Sequence, residues 1–141
     1  MRGFKIFYRN GQEQVINSIT GIEAETIRFE QNDELVGMTC ISTSESDKRP
    51  RQLGFTLLRN GQIIETAPNG CAISHFSQSW PVVNSLQGRS DIANMKVTKI
   101  FYSRWGSSDF DLAGLKVMNS QGSDSGLLGM ERNDWESITL N

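Results

Sequence analysis

Helical pattern is what this sequence has least of. No window of a dozen residues keeps apolar side chains at i, i+3, i+4 and i+7, and 13 glycines interrupt the candidates. Cysteine and histidine are nearly missing as well. Two cysteines, Cys40 and Cys71, are too few for a disulfide framework. They are expected reduced in a cytoplasmic protein, although a pairing between them stays open. The single histidine, His75, leaves no recognisable zinc spacing. No metal or cofactor is expected. No apolar run nears the roughly 18 residues of a membrane span, no Asn-x-Ser/Thr sequon occurs, and the opening "MRGFKIFYRNGQ" has no signal-peptide core. A processed, secreted form stays open beside the cytoplasmic reading.

Charge of one sign is missing too. Fourteen basic and 16 acidic residues are interspersed, for a net charge of −2, whereas nucleic-acid binders concentrate a basic face. No nucleic-acid partner is therefore expected. The dense positive run "KRPR" (48–51) reads as a solvated loop tip. Acidic clusters at 30–34 and 108–111 match no calcium loop and read as turns.

What the chain does contain is short, β-rich runs: 4–8, 25–30, 35–42, 54–58, 95–102, 114–118 and 137–140. Asn-Gly, Asn-Asp and Gly-Ser clusters separate them. The class is all-β, in one domain spanning 1–141. The stretch 74–91 is the longest that reads as irregular, a packed connection holding Phe76 and the Trp80-Pro81 step.

One phrase recurs. Gly3 begins "GFKIF", Gly54 begins "GFTLL" and Gly114 begins "GLKVM", each followed by a polar turn with glycine. The first and third align without gaps; the second needs one deleted residue before the shared "RNGQ". Upstream, "MTCI" (38–41) and "VTKI" (97–100) stand equally far from Leu53 and Leu112. Three pseudo-repeated antiparallel β units follow, covering about 1–24 together with a C-terminal strand at 135–141, then 25–73, then 91–130. "WESITL" is expected to pair beside the N-terminal strand and close the structure. A β-prism is the leading arrangement, with a trefoil-like barrel or a β-sandwich as alternatives.

With these repeats and the late "GSSDFDLAG" (106–114), the chain resembles the jacalin-related lectins. That resemblance implies the β-prism I fold, three four-stranded Greek-key sheets about a pseudo-threefold axis, and a sugar site in a Gly-x-x-x-Asp loop. The corresponding loop here is "RWGSSDFDLAGL" (104–115). Gly106 stands three residues before Asp109 and five before Asp111, so neither carboxylate keeps the family spacing, and the glycine-rich N-terminal sugar loop has no counterpart.

The same loop carries a physical case for sugar binding. A carboxylate, Asp109 or Asp111, accepts hydrogen bonds from vicinal hydroxyls. The Gly106 backbone fixes orientation, and an aromatic ring, Trp105 or Tyr102, packs on the apolar side of the sugar. The bland alternative is a polar hairpin loop with Trp105 as a cap. Catalytic constellations are weaker. "GSDSG" (122–126) falls in a repeat turn, and Cys71 and His75, if on one strand, stand about 13 Å apart. The expected function is non-enzymatic binding of a carbohydrate or glycoprotein. The alternative is a structural or scaffold subunit that binds proteins in an assembly; a homo-oligomer is compatible with either.

Overall fold

In a computed structural model, the described residues are 3–17, 27–66, 76–105, 111–132 and 134–140. The chain is mostly β, as the sequence leads one to expect. Ten strands run β1 (Gly3–Phe7), β2 (Glu13–Asn17), β3 (Glu34–Ser42), β4 (Gln52–Arg59), β5 (Gln62–Thr66), β6 (Phe76–Trp80), β7 (Val97–Trp105), β8 (Asp111–Asn119), β9 (Leu128–Gly129) and β10 (Trp135–Thr139). Among the described residues the helical elements are one turn, α1 (Val83–Leu86), and a 3₁₀ turn at Ile92–Asn94. Among the described residues, no helix is long and apolar enough to cross a membrane.

The pairing is antiparallel throughout. One four-stranded sheet has the order β6-β3-β4-β5, another has β10-β7-β8-β9, and β1 pairs with β2 in a two-stranded sheet. Each four-stranded sheet has the order 4-1-2-3: three hairpin-linked strands, then a fourth that returns beside the first. That is a Greek key.

This topology corrects three expectations. "WESITL" does not lie beside the N-terminal strand, because β10 pairs with β7, from Trp135 opposite Ser103 to Thr139 opposite Lys99. The nine-residue β7 has a second edge free for a return strand, as β3 has for β6. Side chains tie the first hairpin to this sheet: Gln14 Nε2 donates to the Thr139 carbonyl at 2.9 Å, and Arg104 Nε to Asn17 Oδ1 at 2.9 Å. The second correction concerns "FSQSW", which belongs to strand β6 rather than to an irregular connection. Its Thr39–Ser79 hydroxyl contact, 2.8 Å, shows how a polar stretch satisfies a sheet position. Third, residues 27–30 are not strand. There the Asp33 carboxylate accepts the Glu30 amide at 2.7 Å and closes a turn.

The repeated turns differ in an instructive way. In the first, Tyr8 N donates to the Gln12 carbonyl and Gly11 N to the Tyr8 carbonyl, enclosing three residues that end on Gly11 at φ +88°. Asn119, Gly122 and Ser123 form the same pair of bonds, with Gly122 at φ +82°. The second "RNGQ" encloses two residues, Asn60 at φ +50° and Gly61 at φ +80°, between the paired Arg59 and Gln62. Two residues with positive φ match the twist of a two-residue hairpin, while three-residue loops need one left-handed position. The deletion required to align the second phrase is this missing loop residue.

The main core lies between the sheets. Ile16 of β2, Met38 and Cys40 of β3, Ile100 of β7 and Leu112 and Leu115 of β8 are all buried in one cluster. A second cluster, Val36, Leu58, Leu86 and Met95, fixes the helical turns. Cys40 is a free, buried thiol, and burial raises its pKa to about 11; at neutral pH it is a protonated core side chain. Cys71 and His75 lie outside the described residues.

Candidate functional site

The connection 43–51 and the segment after β9 meet the paired ends of β7 and β8. Trp105 closes β7 directly opposite Asp111, the first residue of β8. The connection 43–51 between β3 and β4 folds against this end instead of standing in solvent. Ser42 Oγ donates to the Lys48 carbonyl at 2.7 Å, and Arg51 N to the Ile41 carbonyl at 2.8 Å. Pro50 is less than 2% exposed. Close approach depends on Gly129, at φ +100°, where a Cβ would stand 2.8 Å from the Ala113 carbonyl oxygen and 3.3 Å from that of Lys48. The reading of "KRPR" as a solvated tip is therefore corrected: a proline packed at a sheet junction pins the run to the fold.

Arg49 is the centre of the arrangement. Its Nε and one Nη donate to the two oxygens of Asp47 at 2.9 and 2.8 Å, a bidentate fork. Arg51 adds a longer contact to Asp47 at 3.4 Å. The Arg49 hydrogen bonds hold the Asp47 carboxyl well below its usual range, and the pairing raises the Arg49 pKa in turn. The other Nη of Arg49 reaches Asp111 at 3.7 Å, beyond hydrogen-bond length, so Asp111 keeps accepting capacity. The Arg49 guanidinium carbon also lies 4.9 Å from the Trp105 ring centroid.

A second guanidinium stacks closer. Arg132 lies 4.0 Å from the same centroid. It arrives there because Met130 N bonds the Ala113 carbonyl at 2.8 Å, which leads the chain after β9 back along the start of β8. The sequence had pointed to an aromatic ring that packs on a sugar. Trp105 instead carries guanidinium groups, which bind its electron-rich face by cation–π attraction.

The other expected site residues separate. Tyr102 is 8% exposed and belongs to the main core. Burial raises its pKa, and the neighbouring Glu136 raises it further; the ring has no open face for a ligand. Gly106 and Asp109 lie outside the described residues. Ser125 of "GSDSG" has its hydroxyl engaged locally, accepting from Val117 N at 2.9 Å and donating to the Gly126 carbonyl at 2.7 Å. Among the described residues no group of three His, Cys, Asp or Glu side chains could hold a metal ion.

Thus Trp105 and Asp111 come together, joined by Asp47, Arg49, Arg51 and Arg132. Arg49 and Arg51 sit in a run that reads as a loop tip, and nothing around Arg132 in "GMERND" marks it. Their convergence depends on pairing between distant segments. Chemically, the group offers guanidinium donors and one loosely held carboxylate acceptor beside the paired ends of β7 and β8. Comparison with family models, with curated proteins and with solved structures gives no match.

Proposed function

We propose that the chain is a non-enzymatic carbohydrate-binding module of jacalin-like β-prism type, with its site at the Trp105–Asp111 hairpin end. The observation that carries this reading is the convergence of Arg49, from the connection 43–51, and Arg132, from the segment after β9, on Trp105 and Asp111. It leaves Asp111 able to accept sugar hydroxyls beside guanidinium donors already fixed by Asp47 and Trp105. Such preorganised polar groups lower the ordering cost of binding a small hydroxylated ligand. The two Greek keys support the prism, with β1 and β2 counted as part of its third sheet. A glycan array probed with wild type and Asp111→Ala tests the proposal. Wild type is expected to capture a restricted set of glycans, and the variant, still folded, to lose at least tenfold in affinity. A folded wild type silent across the array rules the reading out.

One observation favours a second reading, a scaffold that binds another protein. Phe7 and Val15, 62% and 42% exposed, both sit on the two-stranded sheet, and exposed apolar pairs on a short sheet suit a partner surface. Here Phe7→Ser would abolish co-sedimentation with a partner and leave glycan capture intact.

A further inference from the structure

We propose that this site selects an acidic saccharide, with the sugar carboxylate taken by Arg132. The inference rests on the carbohydrate reading above and narrows its ligand class.

Arg132 differs from the other arginines around the site. Arg49 and Arg51 both share Asp47. Among the described residues Arg132 has no ion-pair partner, and its Nε is buried without a hydrogen-bond partner. The described cluster therefore holds three guanidiniums against two carboxylates, Asp47 and Asp111, and the unmatched charge falls on Arg132. The Trp105 ring beneath Arg132 neutralises no charge.

The stacking also sets geometry. A guanidinium whose carbon lies 4.0 Å over an indole centroid has its N–H groups at its rim, where they can meet a planar acceptor. A carboxylate is the acceptor that matches this fork with two parallel hydrogen bonds. With Nε shut off from solvent, the η nitrogens are the donors available to a ligand. A neutral hydroxyl would leave the surplus charge unpaired; a uronic acid pairs it while its ring hydroxyls face Asp111. The neighbouring carboxylates would repel an acid placed at Arg49, which directs the acid to Arg132.

Calorimetric titration with methyl galacturonide, its methyl ester and methyl galactoside tests the inference. Wild type is expected to bind the acid at least tenfold more tightly than the ester or the neutral sugar, with a preference that shrinks in high salt. Arg132→Gln should bring the three affinities within about twofold of one another while circular dichroism and Tm stay unchanged. Equal wild-type affinities for acid, ester and neutral sugar would overturn acid selection and leave the carbohydrate reading standing. Full acid preference in folded Arg132→Gln would also overturn it, by placing the carboxylate elsewhere. If wild type binds none of the three and is silent on the glycan array, the carbohydrate reading fails and acid selection fails with it.

Discussion

The two four-stranded sheets share a strand order and differ at their margins. In both, a glycine at the matching point of the second strand, Gly54 or Gly114, faces a small hydroxyl residue, Thr39 or Ser103. Yet β5 extends that sheet over five residues, whereas β9 contributes two before the chain turns toward Trp105. The connection 43–51 is closed by its own ion pairs and laid over the neighbouring sheet's end. Thus a common frame fixes where strands lie, and the departures from it assemble the polar cluster. The sharpest way to break this equivalence is at the paired glycines. At Gly114 a Cβ would stand 2.5 Å from the Met130 carbonyl oxygen and 3.0 Å from Leu127 Cδ1, while at Gly54 it would meet the Thr66 carbonyl at 3.0 Å. The short β9 crowds β8 more tightly than β5 crowds β4. Gly114→Ala is therefore expected to cost about 3 kcal/mol or more in urea unfolding, and Gly54→Ala about 1–2 kcal/mol.

The next largest effect separates the two buried or half-buried Asp–Arg forks. Asp33 bonds Arg59 Nε at 2.7 Å and Nη at 2.8 Å and also accepts the Glu30 amide, with no exposed side-chain surface. Asp47 makes a similar fork to Arg49 but is 31% exposed. Removing Asp33 would leave Arg59 only the exposed Glu30 at 3.3 Å and would open the turn that the Asp33 carboxylate closes, so Asp33→Ala should cost about 1–3 kcal/mol. Asp47→Ala should cost about 1 kcal/mol, closer to a surface pair, while weakening ligand capture by releasing Arg49. Calorimetric Tm values for both variants check the ordering.

Acid should reveal the same forks in the wild type. Hydrogen bonds from Arg59 and Arg49 hold Asp33 and Asp47 below their ordinary value of 3.8. Between the folded and unfolded pKa values, the unfolded chain binds more protons, so stability rises with pH there. The contribution is complete above about pH 5 and is lost as pH falls below about 4 toward the folded values. Unfolding midpoints measured from pH 6 down to 2 should show this decline, and Asp47→Ala, which removes the more strongly lowered carboxyl, should flatten it more than Asp33→Ala. Equal flattening would mean that the two forks lower their carboxylates alike.

How much of this was legible in the sequence depends on range. Strands β3, β4, β7 and β8 are marked by long apolar runs, and they contribute most of the buried core. β2 and β5 are signalled only as return strands after the glycine turns, because "EQVIN" and "QIIET" hold only two apolar residues each. β6 was hidden by Ser77, Gln78 and Ser79, whose polar groups find partners that only the fold supplies: Ser79 meets Thr39, and Gln78 Oε1 accepts Gly129 N at 2.9 Å. The site was half visible. Trp105 and Asp111 stand in a loop with a recognisable mixture of ring and carboxylate. Arg49 and Arg132 lie far from them in sequence, and the close approach at Gly129 that unites them leaves no local signature.

The smallest effect concerns the two copies of "RNGQ". Identical letters fold into different turns because the flanking ladders enclose different numbers of residues. Asn60 sits at φ +50°, while Asn10 is not in the left-handed region. Asn tolerates that region better than most side chains, so Asn60→Ala should cost about 1 kcal/mol. In the first copy the side chain acts differently: Asn10 Oδ1 accepts Gln12 N at 2.9 Å, exposed to water that can replace it. Asn10→Ala should cost only about 0.5 kcal/mol or less. The comparison is sharpened by glycine at the same positions. Asn60→Gly should come close to wild-type stability, because glycine reaches positive φ without steric cost, whereas Asn10→Gly should gain nothing over Asn10→Ala. Equal losses at the two asparagines would show that the letters, and not the loop length set by the ladders, determine the turn.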